Sequence, residues 1–201
     1  MPFPEANVVM QCSGPIPLVG YRAKLCNLTR LPLPTGFPHV ASMKFSHLIE
    51  INDPLNPLID PLTRAQLWRG LVLRAEKPRA FVPWLDRCNI LDRSEASISR
   101  ELHYGELIVH DRVTYVPQDQ VRYHVPQQKD IPESTLTMTI EEPEPDILFV
   151  RFEYDDGTAE AAEMDAFYNE FRRSAYQESD IDTIRIIRQM AEEGRLGEAN
   201  G

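Results

Sequence analysis

The sequence predicts an α+β domain in which seven antiparallel strands form one sheet and a long C-terminal helix covers its apolar face. Three observations lead there. Between Cys88 and Tyr154 apolar residues recur with a period of two, in six short runs joined by tight connections. An alternating run over residues 44–52 precedes them, and an apolar stripe at helical spacing follows. A sheet with one apolar face must bury it, and the terminal helix is the element long enough to do so.

Composition sets the bounds. The chain has 201 residues, 42% hydrophobic and 26% charged, enough to build one core. No apolar run approaches the ~18–20 residues that cross a bilayer, so membrane insertion is not expected. The formal charge of −10 argues against nucleic acid or an anionic membrane as partner. Cys12, Cys26 and Cys88 have no spacing of a disulfide framework or a zinc site, which fits a reducing cytoplasm.

Residues 1–42 differ from the rest. They hold 7 of the 17 prolines, and their charge is +2 against −12 for residues 43–201. Pro2, Pro4, Pro15, Pro17, Pro32, Pro34 and Pro38 interrupt every run that could become a helix or central strand. The segment lacks the build of a signal peptide, and its prolines deny it the amphipathic helix of a transit peptide. Two readings stand: a disordered leader, or an upstream stretch ahead of a true start at Met43.

The domain of residues 43–201 follows in order. In the first strand Phe45, His47, Ile49 and Ile51 share one face. After a proline-punctuated loop, Thr63 and Gln66 form a capping box that opens a helix. That helix is expected to bury Leu67, Trp68, Leu71, Val72 and Ala75 and to point Arg64, Arg69, Arg74 and Lys77 outward. Pro78 starts a second short helical turn, which Pro83 ends. Strands are expected at about 88–93, 96–104, 106–116, 120–125, 134–142 and 146–154. The last helix carries Met164, Phe167, Tyr168, Phe171 and Ala175, and Ser179 with Asp182 reads as a fresh cap, after which Ile181, Ile184, Ile187 and Ala191 continue the apolar stripe.

The stretches LTRAQLWRGLVLRAEKPRAFVPWLDRC, SRELHYGELIVHDRV, YVPQDQVRYHV and LTMTIEEPEPDILFVRFEY carry a resemblance. Across about residues 43–195 the chain resembles the START-like, or SRPBCC, superfamily. Within it, the chain is similar to the AtaL-like branch, named after a member linked to fungal natural-product biosynthesis. The resemblance implies a helix-grip fold: a curved seven-stranded sheet around a long C-terminal helix, with two short helices after the first strand and an apolar cavity inside. It implies no reaction.

Strand parity names the residues that face the cavity. Leu148, Val150, Phe152 and Tyr154 form one inward set; Leu136, Met138 and Ile140 another; Val121, Tyr123 and Val125 a third. Two inward sets contain a charge: Asp111 among Leu107, Val109, Val113 and Tyr115, and Arg100 among Ile98, Leu102 and Tyr104. A turn at Gly105 places Arg100 opposite Asp111 or one diagonal away. Two readings follow, a polar anchor in an apolar pocket or an ion pair turned outward by a bulge. The expected ligand-binding set is Arg100, Leu102, Val109, Asp111, Tyr123, Met138 and Phe152 from the sheet, with Met164, Phe167 and Phe171 from the helix as a lid. His47 lies on the inward parity, where a histidine is usually scaffold unless a carboxylate adjoins it. His103, His110 and His124 face outward without metal spacing, the acidic residues of the last helix read as a solvated face, and Cys88 reads as a small buried residue. No nucleotide or hydrolase motif is present, and neither metal nor cofactor is expected.

Two function classes fit. One is a binding protein for a hydrophobic, aromatic or polycyclic small molecule. The other is an enzyme of the cyclase, aromatase or dehydratase type working in the same cavity. One ion pair and one histidine are few acid–base groups for an enzyme, which favours binding. A purely structural role would need a large exposed apolar patch, and nothing marks one.

Overall fold

Seven strands pair in the order β1-β7-β6-β5-β4-β3-β2, every neighbour antiparallel. They are β1 (Ser42–Glu50), β2 (Arg87–Arg93), β3 (Ser97–Tyr104), β4 (Leu107–Val116), β5 (Gln120–Val125), β6 (Ser134–Glu144) and β7 (Ile147–Ala159). Helix α1 (Arg64–Glu76) and a 3-10 turn (Pro78–Ala80) lie between β1 and β2, and α2 (Met164–Glu192) ends the fold. The computed structural model describes residues 42–55, 59–129, 131–159 and 164–197, without the side chains of 42, 43, 156–159 and 164–169. The expectations for the leader fall on residues outside these. No helix among the described residues is long and apolar enough to cross a membrane.

The alternation in the sequence becomes burial on one face. Val109, Val113, Val121, Met138, Val150 and Phe152 are fully buried, as are their neighbours Ile98 and Ile140. Irregular pairing in β1, β2 and β6 marks bulges, which help a sheet to curl. Against the concave face packs one principal cluster joining Leu67 and Leu71 of α1 to Tyr176, Ile184, Ile187 and Met190 of α2. A smaller cluster of Leu85, Leu102, Val109 and Val125 fills the end near β2 and β3.

Helix α1 starts on the expected capping box: Gln66 N–H donates to Thr63 Oγ1 at 3.2 Å and Thr63 N–H to Gln66 Oε1 at 2.9 Å. Buried Asn52 fixes the loop before it, donating to the Leu62 carbonyl and accepting from the Leu62 amide. Arg188 of α2 donates to the Ile51 and Asp60 carbonyls, tying that loop to the terminal helix.

Three expectations need correction. Helix α2 runs unbroken through Ser179 and Asp182, because Tyr176, Asp180, Thr183, Ile184 and Ile187 form a continuous buried stripe and no cap is needed. Ile181, expected on that apolar stripe, is half exposed. Arg74, expected on the outer face of α1, is buried at 9% exposure.

The two helices cross at Gly70, where an added Cβ would stand 2.6 Å from Ile187 Cγ2 and 2.7 Å from Cγ1. These are stem atoms of a β-branched side chain and cannot swing aside. We therefore expect Gly70→Ala to destabilise the protein by about 1–3 kcal/mol despite alanine's better helix propensity. In urea unfolding, Ile187→Ala should recover part of that loss in the double variant. Additive losses would contradict the close crossing.

Candidate functional site

Strands β3 and β4 set Arg100 directly opposite Asp111. Both side chains are buried, so the inward placement holds and neither strand bulges there. Arg100 Nε donates to Asp111 Oδ1 at 2.9 Å and Nη2 donates to Oδ2, a two-pronged pair. Arg100 Nη1 donates to the Ala75 carbonyl at 2.7 Å, in the last turn of α1, where a cation is favoured. Burial alone would lower the Arg100 pKa, but Asp111 outweighs it and the guanidinium is held above its ordinary value.

Tyr123 on β5 lies beside two guanidinium groups. Arg100 Cζ is 5.1 Å from its ring centroid and Arg74 Cζ 5.2 Å, both within cation–π range. The Tyr123 hydroxyl is buried without a well-aligned hydrogen-bond partner. Arg74 comes from the last turn of α1, and its Nε donates to Thr183 Oγ1 at 3.3 Å. Burial pulls its pKa down, yet Tyr123, Tyr154 and Asp180 together bring it above the ordinary value.

A second buried polar group sits where β1, β7 and α2 meet. The Tyr154 hydroxyl reaches both oxygens of Asp180, at 2.7 and 2.6 Å, and His47 Nε2 lies 3.2 Å from Asp180 Oδ2. The His47 ring stacks on Phe152 at 5.4 Å, and Tyr154 stacks on Tyr176 at 4.5 Å. Burial raises the Asp180 pKa, against the opposing pull of His47, Arg74 and Tyr154. Burial and the nearby Asp180 also push the Tyr154 phenol well above its ordinary value.

Several of these groups border a partly open cavity of about 80 Å³ between the sheet, α1 and α2. Its walls include Arg74, Arg100, Asp111, Tyr104, Tyr123, Tyr154 and Tyr176, with Leu102, Val125 and Leu136 as apolar lining and Ser134 and Ser179 as hydroxyls. That volume is about half the ~150 Å³ that admits benzene, so a polycyclic molecule would have to extend through the cavity's open side. A wider groove of about 650 Å³ runs between Asn52, Arg64, Glu142 and Leu148. Its buried polar residue, Asn52, is already bonded to Leu62 on both ends of its amide.

The family described as "Acetylaranotin biosynthesis cluster protein L", AtaL, matches residues 49–194. The chain belongs to the AtaL family. Its structural neighbours lie in the START-like superfamily. The Zhui aromatase/cyclase from Streptomyces sp. R1128 has a TM-score of 0.54 and 15% identity, covering 80% of this chain and 99% of that one. The di-domain ARO/CYC BexL from the BE-7585A biosynthetic pathway has a TM-score of 0.53 and 16% identity, covering 75% and 50%. Human STARD10 has a TM-score of 0.51 and 11% identity, covering 77% and 66%. At these identities the likeness is one of fold. No curated protein matches.

Within this AtaL-family cavity the sequence-derived set divides. Arg100, Leu102, Asp111 and Tyr123 border it. Val109, Met138 and Phe152 are fully buried in the packed layers and do not line it. Phe171 is 51% exposed, so that side chain does not serve as the packed lid expected of it; its neighbours Ala175 and Tyr176 face inward instead. The side chains of Met164 and Phe167 lie outside the described residues. No group of three metal-ligating side chains occurs among the described residues. Cys88 is half-buried, and burial raises its thiol pKa despite Arg100, as expected of an unactivated residue.

Sequence reasoning missed Tyr176 and Ser134 among the cavity walls, and above all Arg74 and Asp180. Arg74 stands three residues after Leu71 and seven after Leu67, on the buried stripe of α1. Asp180 stands four before Ile184 and seven before Ile187 on α2. Helical spacing carried the signal; their residue type hid it.

Asp111→Ala leaves Arg100 buried and uncompensated, and we expect a loss of about 3–5 kcal/mol in urea unfolding. Arg100→Met with Asp111→Leu should regain much of it, though not all, because the Ala75 carbonyl loses its donor. A loss below about 1 kcal/mol for Asp111→Ala would mean the pair behaves as a surface contact. For Asp180, the folded protein holds the carboxyl proton more tightly than the unfolded chain. Its contribution is therefore present below the unfolded pKa of ~3.9 and is lost as pH rises through the folded value. Comparing the unfolding free energies of wild type and Asp180→Asn from pH 4 upward, the balance should move toward the variant as pH rises. Parallel curves would contradict a raised Asp180 pKa.

Proposed function

We propose that this chain binds a hydrophobic small molecule in the cavity between the sheet and the terminal helix. The observation that supports the reading best is the cavity's make-up: apolar and tyrosine walls surround a few buried charged groups, the arrangement that fixes ligand orientation in small-molecule sites. Leu102, Val125 and Leu136 take the apolar body of the ligand, and Tyr123 presents its ring. Arg100 and Asp111 mark the polar end and hold it rigid. Val109, Met138 and Phe152 support the lining from behind. An aromatic or polycyclic ligand exceeds the cavity's volume of about 80 Å³ and would extend through its open side or part its walls.

A second reading, an enzyme of the cyclase, aromatase or dehydratase type, has one observation in its favour. The Tyr154–Asp180–His47 cluster brings three proton-transferring groups together, and Tyr154 also borders the cavity. Two of the similar folds are aromatase/cyclases, which keeps this reading open to test.

Native mass spectrometry of protein purified from its own host tests the binding reading. The expected result is a one-to-one adduct that disappears on denaturation. Ligand-free protein in that experiment, together with no rise in melting temperature across a panel of hydrophobic and aromatic small molecules, would overturn it. Conversion of a bound molecule to a product of different mass would favour the enzyme.

A further inference from the structure

We propose that the cavity selects an organic carboxylate, whose anionic group pairs with Arg74. The inference rests on the binding reading above and adds the ligand's chemical class. Two arginines border the cavity, and their circumstances differ. Arg100 has its nitrogens taken up by both oxygens of Asp111 and the Ala75 carbonyl. Arg74 uses Nε on Thr183 Oγ1, and its other polar neighbour is the neutral Tyr123 hydroxyl. No carboxylate oxygen of the described residues lies within 4 Å of it.

A guanidinium nine-tenths buried and without a close counter-ion is costly. The Tyr123 ring offsets part of the cost. The nearest negative charge, Asp180, is weakened by its own burial and is engaged by Tyr154. An anionic ligand would supply the missing partner in the two-oxygen geometry that arginine prefers.

The surroundings narrow the class further. The wall also offers neutral donors: the Tyr123 hydroxyl, next to Arg74, and the hydroxyls of Ser134 and Ser179. One free cation with neutral donors suits a single negative charge. A phosphate, with nearly two, would need a second cation, and Arg100 is already paired. Val82, Leu102, Val125 and Leu136 then favour a hydrocarbon or aryl body over a sugar or peptide.

Calorimetric titration of the full chain at neutral pH tests this, using propionate, benzoate and 2-naphthoate, each beside its primary amide. The acids and amides have similar shapes and differ in charge. At the size that fits, the acid should bind roughly 10- to 100-fold more tightly than its amide, the range for a hydrogen bond to a charged group. In Arg74→Gln the acid should fall to the amide's affinity, while amide binding stays within about twofold of wild type. If that variant does not fold, Arg74→Lys serves, with acid affinity down about three- to tenfold and amide affinity retained. Equal affinity of acids and amides in the wild type would overturn the carboxylate inference and leave the binding reading in place. An acid preference that survives Arg74→Gln or Arg74→Lys undiminished would place the anion elsewhere and overturn it too. Binding of none of the six probes would overturn the binding reading and this inference with it.

Discussion

Arg100 joins the parts of the molecule that form the cavity. Its side chain leaves β3, takes both oxygens of Asp111 on β4, and ends on the carbonyl of Ala75 in the last turn of α1. One buried cation thus fixes the register of two strands and docks a helix end onto the sheet. Two interactions converge on it, the charge of Asp111 and the negative end of the α1 dipole, and both favour keeping it ionised. The same anchoring holds the last turn of α1 in place, and that turn carries Arg74. The position of the free guanidinium therefore depends on the bonded one.

The two polar centres have opposite electrostatic characters. Around Arg100 the charges cancel and every strong donor is used. Around Asp180 burial raises the carboxyl pKa, and a phenol and an imidazole compete for its oxygens. Arg74 lies between these centres: it feels Tyr123 on one side and Tyr154 with Asp180 on the other. A cavity built this way is apolar by area yet electrostatically asymmetric, which gives a ligand a preferred orientation.

Much of this was legible in the sequence because strands obey a strict parity. The period of two assigned Val109, Asp111, Val113 and Arg100 to the inner face, and the short turn at Gly105 left only the choice between a direct and a diagonal pairing of Arg100 with Asp111, which the register settles as direct. The capping box at Thr63 and Gln66 was equally local, since it depends on residues three apart. Helix faces were harder. Arg74 and Asp180 were placed outward by residue type, though their spacing from Leu67, Leu71, Ile184 and Ile187 puts them inside. Phe171 was placed inward by its helical spacing from Met164 and Phe167 and is half exposed. The meeting of His47 with Asp180 brings together residues 133 positions apart, and no local pattern encodes it. Cavity volume was also beyond reach, because it depends on how closely α1 and α2 approach at Gly70 and Ile187.

A ligand that binds as proposed enters the space between the sheet and the two helices and meets Arg74 there. Chemical-shift mapping of the wild-type protein during a benzoate titration tests this most directly. The largest shifts are expected at the Arg74 Nε–H and at Tyr104, Tyr123 and Tyr154, with Arg100 and Asp111 moving less because their bonds are already made. Shifts centred instead on Asn52, Leu62 and Arg188, or spread evenly over the surface, would contradict it.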